Sequence, residues 1–247
     1  SRRRERQQRR CRNRRHILQR TSHAMTPNFR AIPLALALAA AASTLALSVP
    51  ALAQQPVRTA PAMTEGSPSQ LVLNNSQRVL STLEKRRPEF KKNRTVLREF
   101  INSEFNAMFD RDYAARLVLG RHARGASEAD IKSFADALAD NLMQRYGSSL
   151  LDFNTQLRVR VKSETALSQG RGVRVSSEFL RQGGQPIPVE YLMRKTGTSW
   201  KVFDVMVEGV SYVQTFRNQF DAELQRKTIK QVTTELRNGQ LKASAGQ

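Results

Sequence analysis

Leu157-Arg158-Val159-Arg160-Val161-Lys162, followed by Val173-Arg174-Val175-Ser176-Ser177-Glu178, is the part of the chain that decides the fold. Leu157, Val159 and Val161 alternate with Arg158, Arg160 and Lys162, while Val173, Val175 and Ser177 alternate with Arg174, Ser176 and Glu178. Successive side chains of a strand point to opposite faces, so a period of two builds one apolar and one solvated face. Gln169-Gly170 and Gly183-Gly184 mark turns. Val189, Tyr191 and Met193 form a third strand, and Trp200 to Val207 a fourth after the turn at Gly197. Four consecutive strands with short connections predict an antiparallel meander. One face carries Arg, Lys and Glu, so the helices are expected to cover the other.

On both sides of this block the period is helical. Leu71, Leu73, Val79, Leu80 and Leu83 give an apolar face ending near Pro88. A second helix carries Val96, Leu97, Phe100, Ile101, Phe105, Met108 and Phe109 at spacings of three and four. Asp110 and Asp112 read as helix-boundary residues, and Asp112 to Leu119 predicts a short helix closed by Gly120. Ser127 is a good N-cap with Asp130 three positions on, opening a helix striped by Ile131, Phe134, Ala135, Leu138, Leu142 and Tyr146. After Gly209 one long helix is expected, with Val213, Phe216, Phe220 and Leu224 on one face and then Ile229, Val232 and Leu236. Helices, a four-stranded sheet and a returning helix make an α+β pattern.

The N-terminal quarter reads differently. Met25 to Arg30 is a short basic start, Ala31 to Val49 is apolar and uncharged, and Ala51-Leu52-Ala53 after Pro50 is a small-x-small cleavage pattern. Residues 25–53 are therefore expected to be a cleavable export signal. A membrane anchor is the alternative, but Ala is weakly hydrophobic and the cleavage pattern sits where a spanning helix would continue. Residues 1–24 carry ten arginines against Glu5 and lie upstream of that signal, so they are read as a non-native leader. Arg14-Arg15 resembles a twin-arginine export motif but lies far from the apolar run. Of 41 basic and 21 acidic residues, the leader and signal hold 11 and one, which brings the net charge from +20 to about +10 for the rest. That balance favours acidic surfaces and no longer asks for nucleic acid. Cys11, the single cysteine, also falls in the leader, so disulfides, thiolate metal sites and a lipid-anchor cysteine are excluded downstream. The remaining domain plan is a flexible lead-in over 54–68, one domain over 69–240 and a disordered tail over 241–247, roughly 190 residues in a soluble product.

Catalytic constellations are scarce. His122 is the one histidine after the signal and sits in a Gly-bounded loop, where it reads as a surface residue. There is no phosphate loop or dinucleotide fingerprint, and Glu208-Gly209-Val210-Ser211 lacks the second glycine of a hydrolase elbow. Asp136 and Asp140 lie one turn apart on a solvated helix face. Asp204 is different, because strand parity groups it with Trp200, Val202 and Met206. A buried acid there is either a general base or a structural group bonded to backbone. An enzyme using Asp204 is accordingly the alternative reading of function. The ten phenylalanines after the signal fit either an ordinary core or the walls of a cavity for an apolar ligand.

Four stretches, in this order, resemble the MlaC family, the periplasmic phospholipid-binding proteins also called the toluene-tolerance family. They are Phe109-Asp110 with Leu119-Gly120; Ala126-Ser127-Glu128 leading into Phe134, Leu138, Leu142 and Tyr146; Trp200-Lys201-Val202-Phe203-Asp204-Val205; and Glu208-Gly209-Val210-Ser211 with Arg217-Asn218-Gln219-Phe220. The likeness runs from about Ser69 to Leu236; His122-Ala123 departs from it, where an aromatic is expected after the Leu-Gly pair. The resemblance implies a curved sheet and helices related to nuclear transport factor 2, closing on a deep apolar pocket. It also implies a soluble periplasmic phospholipid carrier, with no metal, cofactor or covalent step. Its implied partners are an outer-membrane lipoprotein complex and the substrate-binding ring of an inner-membrane ABC transporter, with lipid passing between them to maintain outer-membrane asymmetry. Exposing two acyl chains to water costs on the order of 20 kcal/mol at about 0.8 per CH₂, so a nearly dry pocket is required. Phe105, Phe109, Val161, Val175, Phe179, Tyr191 and Val202 are the residues expected near it.

Overall fold

The computed structural model describes residues 63–152 and 157–245. The expected leader, the signal and most of the lead-in lie outside them. Three helices come first: α1 (Pro68–Lys85), α2 (Arg87–Lys92) and α3 (Arg94–Met108). Ser67 caps α1 by accepting from the Gln70 amide, with Pro68 in its first turn, and Asn93 caps α3 by accepting from Thr95 and Val96. α4 (Arg111–Leu119) and α5 (Glu128–Tyr146) follow, capped by Asp110 and Ser127. The sheet is β1 (Arg158–Ala166), β2 (Val173–Leu180), β3 (Ile187–Thr196), β4 (Ser199–Val207) and β5 (Val210–Ser211). α6 (Tyr212–Leu224) and α7 (Ile229–Arg237) close the chain. Among the described residues no helix is long and apolar enough to cross a membrane.

The sheet is an antiparallel meander in the order β1-β2-β3-β4-β5, one strand more than expected. The extra strand arises because Glu208 and Gly209, both at positive φ (51° and 83°), form a two-residue hairpin that pairs Val207 with Val210. Two bulges break the alternation read from the sequence. In β1 the register passes from Val161 opposite Ser177 to Ser163 opposite Ser176, leaving Lys162 as the extra residue. In β4 it passes from Val202 opposite Met193 to Asp204 opposite Leu192, leaving Phe203 extra. Each bulge reverses which residues face inward beyond it. Glu164 thus joins the inner face and accepts from the Ser69 amide (3.1 Å) and hydroxyl (2.6 Å), pinning the start of α1.

Two helical layers meet the sheet. α1 and α3 lie over its inner face, where Val72, Val175, Met193 and Val202 are fully buried together. α4 and α6 meet β4 on the other side: the Tyr113 ring stands edge-on to Phe203 at 5.5 Å, and Ser211, the cap of α6, bonds Asp204. The expectation that helices cover only one face therefore fails at β4, while Arg158, Arg160 and Lys162 of β1 remain exposed. α4 to α7 form their own core around Ile131, Phe134, Phe220 and Val232, with the Phe134 and Phe220 rings edge-to-face at 5.3 Å.

Three boundaries differ from expectation. The long C-terminal helix is two helices, because Thr228 and Gln231 form a capping box that starts α7 afresh. Phe109 is outside α3; its backbone is extended and bridges Val202 in parallel, with the Asp110 amide donating to the Val202 carbonyl at 2.8 Å. Residues 241–245 are packed rather than disordered. Asn141 donates to the Leu236 and Leu241 carbonyls and accepts from the Ala243 amide, all at 2.9 Å, and Ala243 is fully buried.

Candidate functional site

α1 is pinned to the sheet at its first turn, while its second half stands away from the strands and faces α3. The space between encloses a cavity of about 1020 Å³, at the upper end of ordinary small-molecule sites. Val79, Leu80 and Leu83 of α1 and Ile101, Phe105 and Met108 of α3 form its helical wall. The sheet wall is mostly valine and isoleucine: Val159 of β1, Ile187 and Val189 of β3, and Val205 and Val207 of β4, joined by Phe179. These positions share one end of the sheet, where β1 and β3 begin and β2 and β4 end. Short branched side chains there leave the hollow unfilled.

The walls are held by contacts that do not occupy the space. Arg78 and Asn75 of α1 bond Glu104 of α3, at 2.7 and 3.1 Å, and this pairing raises the Arg78 guanidinium pKa. Phe105 and Phe109 stack at 4.0 Å between ring centroids. Tyr191 and Ser76 are buried polar residues of the wall; burial pushes the Tyr191 phenol pKa up, partly offset by a bond to Ser76. Such a site can take up an apolar ligand by removing its surface from water, at roughly 25 cal/mol per Å². Among the described residues no group of His, Cys, Asp and Glu could hold a metal ion.

Of the seven residues expected near a pocket, Phe105, Phe109, Phe179 and Tyr191 line the cavity. Val161, Val175 and Val202 do not; they sit in the packed core beside it, with exposures of 8, 0 and 0%. The cavity occupies only one end of the sheet, and beyond it Val72 of α1 packs with Val175, Met193 and Val202. Sequence reasoning missed the rest of the wall, including Val79, Leu80 and Leu83 of α1, Ile101 and Met108 of α3, and Val159, Ile187, Val189, Val205 and Val207 of the sheet. For Val205 and Val207 the cause is the bulge at Phe203, which turns them inward.

The same bulge turns Asp204 away from the cavity. Its carboxylate accepts from the Ser211 hydroxyl at 2.5 Å and the Val213 amide at 3.1 Å, tying β4 to the start of α6. It is 7% exposed and acts as a structural acid bonded to the next helix. His122 is also committed, its ring nitrogen lying 2.8 Å from Asp221 with the side chain 19% exposed, so it is less solvated than its loop suggested. This contact leads the interactions that lower the Asp221 carboxyl pKa.

The comparisons with known proteins agree with this geometry. The family model described as MlaC protein matches residues 73–238. Toluene tolerance protein ttg2D of Pseudomonas putida is 27% identical over 176 residues, covering 71% of this chain and 80% of that protein. The intermembrane phospholipid transport system binding protein MlaC of Haemophilus influenzae is 24% identical over 164 residues, covering 65% and 76%. Among solved structures, the phospholipid-binding protein from Ralstonia solanacearum, in complex with a phospholipid, superposes with a TM-score of 0.61. It is 22% identical over 70% of this chain and 97% of that one, a likeness of fold. With the family model spanning most of the described domain, the chain belongs to the MlaC family.

Proposed function

We propose that this protein is an exported, soluble periplasmic phospholipid carrier and not an enzyme. It takes lipid between an outer-membrane lipoprotein complex and the substrate-binding ring of an inner-membrane ABC transporter, which maintains outer-membrane lipid asymmetry. The observation that carries the reading is the cavity of about 1020 Å³ between α1, α3 and one end of the sheet, walled by aliphatic and aromatic side chains. Phe105, Phe109, Phe179 and Tyr191 contact the acyl chains in this reading. Val161, Val175 and Val202 support the wall from behind. The relatives support it through the roles in their names, one in intermembrane phospholipid transport and one structure bound to a phospholipid. The residues expected to form the export signal, 25–53, supply the route to the periplasm.

A carrier has to hold its cargo through purification, because release into water costs about 0.8 kcal/mol per CH₂. Native mass spectrometry of protein purified from cells, followed by lipid extraction, is expected to find phospholipid bound. Repeated preparations of folded protein without bound lipid would sink the proposal. Sedimentation of the protein with vesicles carrying each membrane complex, compared with empty vesicles, tests the two docking steps separately.

A further inference from the structure

Four charged side chains line the cavity: Glu84, Arg87, Glu104 and Arg158. With Glu104 committed elsewhere they do not balance, because Glu84 alone stands against Arg87 and Arg158. Glu104 is taken up by the fork from Arg78 and the amide of Asn75. Arg158 is exposed at the open start of β1. Arg87 lines the cavity at the corner between α1 and α2, where its guanidinium donates to the Leu151 carbonyl at 2.7 Å. From that corner onward the surface is strongly basic. Lys85, Arg86, Arg87, Lys91, Lys92 and Arg94 stand against Glu89 alone over residues 85–94, and Glu89 is already paired with Arg86 at 2.7 Å. Lys91, Lys92 and Arg94 are exposed. The helical rise puts Lys91 and Lys92 within about 8 Å of Arg87 along the axis, comparable with the screening length in physiological salt.

An apolar cavity treats acyl chains alike whatever headgroup they carry, so selection among lipids has to come from charge at the rim. We infer that Arg87, Arg158 and the basic corner select phospholipids whose headgroup bears net negative charge over zwitterionic ones. This rests on the carrier reading and adds the class of lipid carried. A zwitterionic headgroup brings its own ammonium to the same place and gains less from the field. A headgroup such as glycerol leaves the phosphodiester charge uncompensated and gains more. Screening by salt removes the difference.

The test is exchange of the protein purified from cells against vesicles of equal phosphatidylglycerol and phosphatidylethanolamine, with bound lipid extracted and quantified. In low salt the bound ratio is expected to favour phosphatidylglycerol roughly fivefold, the scale of one basic contact at an anionic lipid surface. It should fall towards unity near about 1 M salt. Arg158→Glu combined with Lys91→Gln and Lys92→Gln changes only exposed side chains, and is expected to abolish the preference, read as the ratio of the two lipids among those still bound. A wild-type ratio equal to that of the vesicles overturns the inference, as does a preference that survives in the triple variant. A preference lost in inorganic phosphate but kept in chloride of equal ionic strength would assign the rim to free phosphate and overturn it too. Wild-type protein that takes up no lipid of either kind overturns the carrier reading itself, which is a different result from an unselective carrier.

Discussion

The layer of α4 to α7 and the layer of α1 to α3 draw on the same apolar residue types and reach opposite outcomes. In the first, Phe134 and Phe220 meet edge-to-face and Ile131, Phe134, Phe220 and Val232 have no exposure at all. In the second, Phe105, Ile101, Val79 and Leu80 remain partly exposed because they face a hollow. The difference is one of tethering. α5 is held along its length by α7 and the C-terminal segment, whereas α1 is tied to the sheet through its first half, at Ser69 and Ser76, and braced to α3 by the bonds of Arg78 and Asn75 to Glu104. A helix fixed at one end can stand off from a sheet without unfolding. Composition says little about which outcome a segment will have.

The widest separation between the layers is expected on truncating a phenylalanine in each. Phe134→Ala opens a void in a dry core and should cost about 3–5 kcal/mol. Phe105→Ala enlarges a hollow that already exists and should cost roughly 1–2 kcal/mol, the transfer contribution without a new void. Urea unfolding of the two variants makes the comparison, and equal losses would mean that the second layer is packed in solution. Next in size is Asn141→Leu, which strands two carbonyls and an amide and should cost about 2–4 kcal/mol. Faster amide exchange at Ala243 would locate that loss at the C-terminal segment.

Much of this contrast is legible in the sequence, and the illegible part has identifiable causes. Ser127, the stripe from Ile131 to Tyr146, and the alternation around Val159 and Val175 each follow from local periodicity, so helices, strands and fold class could be read directly. The two bulges could not. Lys162 and Phe203 are ordinary strand residues, and nothing local marks them as extra. Yet the second bulge moves Asp204 to one face and Val205 and Val207 to the other. Whether an inward valine lines a hollow or a core also escapes periodicity. Val159 and Val161 share a strand and a face, but only the first lies where α1 has lifted away. The break before α7 was legible in principle, since Thr228 and Gln231 have capping-box spacing.

Filling the hollow should separate ligand binding from stability. Val189→Trp puts a large ring into the cavity, and is expected to change stability by less than about 1 kcal/mol while strongly lowering bound lipid in native mass spectra. Undiminished lipid in the folded variant would remove Val189 from the wall. The smallest expected effect is a pH dependence at Tyr191. Burial raises its folded-state pKa above the unfolded value near 10, so the native state keeps its proton longer. That contribution is complete below about pH 10 and is lost as pH rises through the folded pKa. Tyr191→Phe should therefore flatten part of the fall in thermal midpoint between about pH 9 and 11. An unchanged slope would show that other groups carry it.

The contacts of residues 241–245 bear on how the molecule is first assembled. Asn141 finds its partners about a hundred positions downstream, at Leu236, Leu241 and Ala243, so α5 stays incompletely satisfied until residues 236–243 are free. A polypeptide emerging N-terminus first can pair β1 with β2 early, as a local hairpin. It can finish α5 only once residue 243 has emerged. Residues 241–243 thus act as a completion signal: a chain stalled or clipped before Leu241 lacks the latch on its driest layer.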